Sequence, residues 1–263
     1  MLKYFLGIDV GTQGARVLLV DQQGGIVASA QKEFLLDDQF RQEQSAEGWW
    51  EACVSIVDEL FYLLPEQFDR NAIVAMSVTS TSGTVIPLDK DNIPLSKAIM
   101  YSDPRSAEQG ARVKKLAQEY NPDGYTGFNA SSGLSKILWY VENNPEKVSD
   151  IARWVHAADY IVGKLSGNYN VTDYTNVLKS GYDLQKLEWP SFIHVELGLN
   201  LDWFQQVVPS GTIAGQLHAD LAARWGISEV LVTVGLTDGC ASQMASGAVK
   251  VGDWNTTIGT TLV

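Results

Sequence analysis

The sequence predicts an α/β fold: a mixed five-stranded sheet flanked by helices, with a helical and loop region inserted before the last strand. Two observations carry this expectation. Three strand-like runs joined by tight turns precede an amphipathic helix and a continuous apolar run, the order β-β-β-α-β, and a right-handed crossover helix returns such a fourth strand parallel to the sheet. A fifth strand-like run, Val230-Leu231-Val232-Thr233-Val234-Gly235, follows only after a long stretch of helical periodicity and polar turns.

The elements follow in order. Residues 3–9, 15–21 and 25–34 read as a β-meander, with Gln22-Gln23-Gly24-Gly25 as its second turn. Ser45 is placed to cap a helix in which Trp49, Trp50, Cys53, Ile56, Val57 and Leu60 recur at helical spacing, and Pro65 lies beyond its end. Ala72 to Val78 is a near-continuous apolar run of strand length, broken only by Ser77, the pattern of a strand buried on both faces. Residues 85–89 and 97–101 form a hairpin around Asp91-Asn92, and a helix is expected from about 105 to 120. A Gly-, Asn- and Ser-rich loop, 121–132, leads to helix 133–142, bounded by Pro145. A second helix, 146–165, is read from Val148, Ile151, Ala152, Val155, Ile161 and Leu165, with Gly167 as its stop. Residues 168–185 are polar and turn-rich; after the fifth strand, 239–248 are helix-like and a last hairpin surrounds Val251-Gly252-Asp253.

The 263 residues can bury a large core, in one large or two small domains. A net charge of −12 argues against nucleic acid or an anionic membrane as partner. Cys53 and Cys240 are the two cysteines and lack metal-ligand spacing, so neither a disulfide scaffold nor a zinc site is expected and a reducing, cytoplasmic setting fits. No run is long and apolar enough to span a bilayer.

Two short segments point to phosphate. Gly7-Ile8-Asp9-Val10-Gly11-Thr12-Gln13-Gly14-Ala15-Arg16 places glycines and a threonine at a hairpin tip, where backbone N–H groups can face an anion. A carboxylate beside a phosphate is repelled unless a cation lies between them, so Asp9 reads as an outer ligand for Mg²⁺. Thr256-Thr257-Ile258-Gly259-Thr260-Thr261 is similar, and Gly235-Leu236-Thr237-Asp238-Gly239 sets another acid in a glycine-flanked turn shortly before it. Each has an ordinary structural role open to it: Asp238 as a helix cap, Asp103 before Pro104 as an N-cap, Arg16 in a surface ion pair. Trp49 and Trp50 read as one core and one partly exposed helix residue, and His156, His194 and His218 have no partner spacing that suggests chemistry.

These segments together resemble the FGGY carbohydrate kinases, within the actin, Hsp70 and sugar-kinase superfamily of ribonuclease H-like folds. Residues 7–21 resemble the first phosphate motif of that family; Tyr101-Ser102-Asp103-Pro104-Arg105 is similar to its W-x-D-x-R segment, with Tyr for Trp; Val171-Thr172-Asp173-Tyr174-Thr175-Asn176 is similar to its T-D-x-T-N segment; and residues 235–239 and 258–261 resemble its catalytic-Asp turn and second phosphate motif. The resemblance implies a ribonuclease H-like (actin-like ATPase) fold, with residues 1–250 as the sugar-binding N-terminal domain and 251–263 as the first hairpin of an ATP-binding C-terminal domain. It implies ATP-dependent phosphorylation of a sugar or polyol hydroxyl. Asp238 is then the general base, Asp9 holds Mg²⁺ through water, and Thr12, Gln13 and Arg16 contact phosphates from one side, with Gly259, Thr260 and Thr261 on the other. Thr81, Ser82, Tyr101 and Asp103 are the candidate acceptor contacts.

Thr79-Ser80-Thr81-Ser82-Gly83-Thr84 stands where glycerol kinases carry N-Q-R-E-T and xylulose kinases G-Q-M-H-G, and matches neither. Small hydroxylated side chains leave room for a ketopentose or related polyol of the xylulose or ribulose class. The other readings are a kinase for glycerol or autoinducer-2, an actin-like nucleotide switch without sugar kinase activity, and a silent sugar-binding module. The sequence stops where a strand should continue, so it reads as the front of a longer protein, with little turnover on its own. A homodimer is the assembly considered.

Overall fold

The computed structural model describes residues 2–256. Gly259, Thr260 and Thr261 lie outside the described residues. In chain order the strands are β1 (Tyr4–Val10), β2 (Gly14–Asp21), β3 (Ile26–Glu33), β4 (Glu43–Gln44), β5 (Ile73–Ser80), β6 (Val85–Leu88), β7 (Ala98–Ile99), β8 (Arg153–His156), β9 (Val171–Asp173), β10 (Gln206–Val208), β11 (Ile213–Gln216) and β12 (Leu231–Thr233). The helices are α1 (Ala46–Leu63), α2 (Ala107–Tyr120), α3 (Gly133–Asn143), α4 (Ala157–Ser166), α5 (Tyr174–Val177), α6 (Phe192–Val195), α7 (Ala219–Trp225) and α8 (Asp238–Ala245).

The main sheet has the order β11-β12-β5-β1-β2-β3. The meander β1-β2-β3 is antiparallel, while β5 runs parallel to β1 and β12 parallel to β5. These are the five expected strands. A sixth, β11, adds antiparallel to β12 at the edge.

Strand alternation gives the sheet two unlike faces. Leu6, Ile8 and Val10 of β1, with Ala15, Val17 and Leu19 of β2, are buried against α1 and α4 in the main core. Helix α1 supplies Trp49, Ala52, Cys53, Ile56, Val57, Leu60 and Phe61 to that core at helical spacing, each large aliphatic group contributing roughly 1.5–3 kcal/mol by burial. Ser45 caps it as expected, accepting from the Gly48 N–H at 3.1 Å; Trp49 is buried and Trp50 half-buried. The opposite face carries Gly7, Asp9, Arg16, Leu18, Ser77 and Thr79 and borders a cleft of about 570 Å³. Strand β5 is therefore central but covered on one face only, because its other face meets this cleft.

The region inserted between β5 and β11 has its own core, built from Val85, Ile99, Val113, Leu134, Ile137, Leu138, Trp154 and Ile193 among others. The hairpin expected at 85–101 forms, with Val85 opposite Ile99. The long helix expected at 146–165 does not. Residues Arg153–His156 instead pair antiparallel with β6, and α4 starts only at Ala157. Strand β8 lies between the two cores, Val155 entering the main one and Trp154 the second, so burial on both faces produces an apolar run that mimics helical periodicity. Gly167, at φ 78°, ends α4 as expected. The polar stretch 168–185 contains β9 and α5. Near the end, the Asp253 N–H donates to the Lys250 carbonyl at 3.0 Å, forming the expected turn, but among the described residues no strand flanks it.

Candidate active site

The β1–β2 turn holds the first group of expected residues. Its loop is tied inward: the Phe34 N–H donates to the Gln13 carbonyl at 2.9 Å and Gln44 Nε2 to the Thr12 carbonyl at 2.9 Å. Asp9 and Arg16 are direct cross-strand partners. Arg16 Nη1 lies 3.7 Å from Asp9 Oδ2, with side chains 70% and 37% exposed, a pairing that contributes under about 1 kcal/mol in such a setting. Burial raises the Asp9 carboxyl above its ordinary range, Arg16 opposes the rise, and the charge of Asp238 adds to it. The structure thus brings Asp9 and Asp238 within each other's field.

Asp238 is the first residue of α8, after Thr237. It does not act as the helix N-cap. Oδ1 accepts from the Gly239 N–H at 2.7 Å; burial raises its carboxyl, while that bond and the positive charge of Lys179 lower it. The turn is pressed against β5: Thr237 bridges Ser80 in parallel, and a Cβ on Gly235 would collide with the Val78 carbonyl oxygen. Only glycine permits that approach.

The expected acceptor contacts gather just beyond the end of β5. The hydroxyls of Thr81 and Thr84 are 2.9 Å apart, and Thr84 Oγ1 accepts from the Tyr101 N–H at 3.1 Å. Ser82 is half-buried beside them. Asp103 is 1% exposed. Its Oδ1 accepts from the Arg105 N–H at 2.9 Å, and Oδ2 lies 2.6 Å from Arg105 Nε in an ion pair without hydrogen-bond alignment. Arg105 also pairs with Glu43 at 2.8 Å. Helix α2 begins at Ala107 with Ser106 as N-cap, so Asp103 makes a local turn rather than capping the helix.

Two lysines complete the site. Lys136, on the buried face of α3, is wholly buried, with Nζ donating to the Ala130 carbonyl and, at 3.5 Å, to that of Tyr101. Burial pulls its pKa down to about 8; Asp103 opposes this, and Lys179 and Arg105 reinforce it. A line of charges therefore runs Asp9, Asp238, Lys179, Lys136, Asp103. Sequence reasoning missed both lysines, although a lysine between Leu134 and Ile137 on an amphipathic helix was a visible signal. His156, to which the sequence assigned no chemistry, is a buried helix cap whose Nδ1 lies 2.9 Å from Asp159 Oδ2 and whose Nε2 lies 2.8 Å from Ser180 Oγ. The i,i+3 spacing to Asp159 was the available clue.

Residues 4–245 match the profile of the FGGY family of carbohydrate kinases, N-terminal domain. The chain belongs to that family. It is 27% identical to a gluconokinase of Bacillus licheniformis over 266 residues, covering 99% of this chain and 51% of that protein. It is 26% identical to a xylulose kinase of Lactococcus lactis, covering 95% and 50%. The chain thus spans about half the length of the curated relatives it matches. Its fold is shared with the xylulose kinase of Rhodospirillum rubrum (TM-score 0.84, 23% identity, 96% of this chain and 52% of that one) and with Plasmodium falciparum glycerol kinase (0.86, 21%, 99% and 53%). The ribonuclease H-like, actin-like ATPase architecture expected from sequence is the one this FGGY chain adopts. Among the described residues no helix is long and apolar enough to cross a membrane.

The donor set at Asp9 fits Mg²⁺. Asp9 lines the cleft, and the nearby charge of Asp238 disfavours its ionised form until a cation intervenes. Thr79, in register with Asp9, has a buried hydroxyl without a hydrogen-bond partner among the described residues. No group of three or more ligating side chains occurs among those residues, so water and nucleotide phosphates would complete the shell.

Proposed function

We propose that this chain is the acceptor-binding half of an ATP-dependent carbohydrate kinase that phosphorylates a hydroxyl of a sugar or polyol. The observation that carries this reading is that Asp238 lies within electrostatic reach of Asp9, its turn bridged to Ser80 at the end of β5, with Thr81 and Tyr101 joined through Thr84 just beyond that strand end. Asp238 takes the proton of the acceptor hydroxyl as its oxygen bonds to the γ-phosphorus of ATP and the bond from that phosphorus to ADP breaks, ADP leaving, a task suited to a carboxyl whose basicity burial has raised. Asp9 would hold Mg²⁺ through water, and that cation would supply charge to offset the transferring phosphoryl. Thr12, Gln13 and Arg16 contact the phosphates from the β1–β2 turn. Residues 251–263 begin a second domain, which completes the ATP site in a longer cytoplasmic protein.

The small hydroxylated segment Thr81-Ser82, with the similarity to a xylulose kinase, favours a ketopentose or related polyol of the xylulose or ribulose class. A second reading, a sugar acid, is favoured by the ammonium groups of Lys136 and Lys179 and by the similarity to a gluconokinase. The test is ADP release by the intact protein with Mg·ATP and a panel of pentuloses, pentitols, glycerol, hexoses, gluconate and autoinducer-2, beside Asp238→Asn. One acceptor should raise ADP release and the variant should abolish it. Acceptor-independent hydrolysis that survives in Asp238→Asn would instead support a nucleotide switch.

A further inference from the structure

The segment Val171–Asn176 has no role in the chemistry described so far, yet it reaches the turn that carries Asp238. Asp173 is fully buried and accepts five hydrogen bonds. Oδ1 receives the Asn176 N–H at 2.9 Å and Asn176 Nδ2 at 2.7 Å. Oδ2 receives the Thr175 N–H at 3.0 Å, Thr175 Oγ1 at 2.8 Å and Ser210 Oγ at 2.7 Å. Because the Thr175 hydroxyl donates its one proton to Asp173, its oxygen is left to accept, and it accepts the Thr237 N–H at 2.9 Å.

Thr237 is thereby held on three sides. Its N–H goes to Thr175, its carbonyl accepts from Ala241 N–H at 2.8 Å to start α8, and it bridges Ser80 at the end of β5. The adjoining turn is braced as well: the Gly211 N–H donates to the Val234 carbonyl at 2.7 Å, beside Ser210. The next residue is Asp238.

We propose that Asp173 and Thr175 are positioning residues for Asp238, a relay that fixes the backbone from which the base projects. The inference rests on the kinase reading, in which Asp238 must meet the acceptor hydroxyl within hydrogen-bond reach. A displacement of about 1 Å in such an arrangement costs up to about 100-fold in rate.

The test compares Thr175→Val, which keeps the shape but removes the acceptor, with Thr175→Ser, which keeps it, in the intact protein. Thr175→Val should lower kcat by roughly 10- to 100-fold, leave KM for ATP and acceptor nearly unchanged, and move the acid limb of the kcat/KM profile. Thr175→Ser should restore both kcat and that limb. Hydrogen exchange at the Thr237 amide should be faster in the valine variant and normal in the serine variant. A valine variant with unchanged kcat and pH profile overturns the relay, as does a serine variant equally impaired. Absence of acceptor-dependent turnover in the unmodified protein overturns the kinase reading instead; the hydrogen-bonded relay is then refuted only by Thr237 exchange that ignores Thr175→Val.

Discussion

Replacing Lys136 by methionine removes a buried ammonium while keeping most of its stem, and the consequence is largest in the pH dependence of stability. The folded-state pKa is pulled from an ordinary 10.5 to about 8, first by burial. Between these values the unfolded chain still holds a proton that the folded chain has released, so unfolding takes up a proton and stability rises with pH. At about 1.4 kcal/mol per pH unit, the contribution of Lys136 should grow by about 3 kcal/mol between roughly pH 7 and pH 11. Methionine has no proton to exchange. It also removes one hydrogen bond to the Ala130 carbonyl, which still accepts from Ser106 Oγ at 3.2 Å, a cost of about 1 kcal/mol that does not vary with pH. Urea unfolding followed by the fluorescence of the eight tryptophans gives both curves. Buried tyrosines such as Tyr169, whose phenol burial pushes up to about 12, shift both proteins alike. The stability gap should widen by about 3 kcal/mol in favour of the unmodified protein across this range. A gap flat to within about 0.5 kcal/mol refutes the reasoning, because Lys136 would then titrate in the folded chain as it does in the unfolded one.

Three further outcomes are expected. Asp238→Asn should lower acceptor-dependent ADP release at least about 100-fold. Because the base must be ionised and burial raises its carboxyl, the acid limb of kcat/KM should lie above the range of a free aspartate; a limb that persists in the asparagine variant would assign it elsewhere. Gly235→Ala should destabilise by about 1–3 kcal/mol or more, since the added Cβ meets the backbone carbonyl of Val78, with urea unfolding as the measure and an unchanged midpoint as the contrary result. Ser45→Ala should cost about 1 kcal/mol by removing the cap on the Gly48 N–H, with no change in the denaturant slope.

Asp9, Asp103 and Asp238 were legible as candidates because the short motifs that carry them stood together in the order of a known family, although each alone was open to an ordinary turn or cap role. Their mutual distances were not. Asp9 and Asp238 are separated by 229 positions and meet only because β12 adds parallel to β5, which lies beside β1. The failed helix at 146–165 shows the same limit from the other side. Val155 and Trp154 serve two different cores, and a single-chain pattern cannot say which neighbour a buried face will find.

Local order was therefore readable in the sequence itself: the alternation of Leu6, Ile8 and Val10, the cap at Ser45 and the stop at Gly167 each act through bonds a few residues away. The family resemblance was readable for a related reason, since its motifs are short segments whose chemistry is local. The tertiary structure alone decided the sixth strand, the burial of Lys136 and the path from Asp173 through Thr175 to Thr237. Those depend on contacts between segments far apart in the chain, whose registry is set when sheet pairing and core burial are satisfied together.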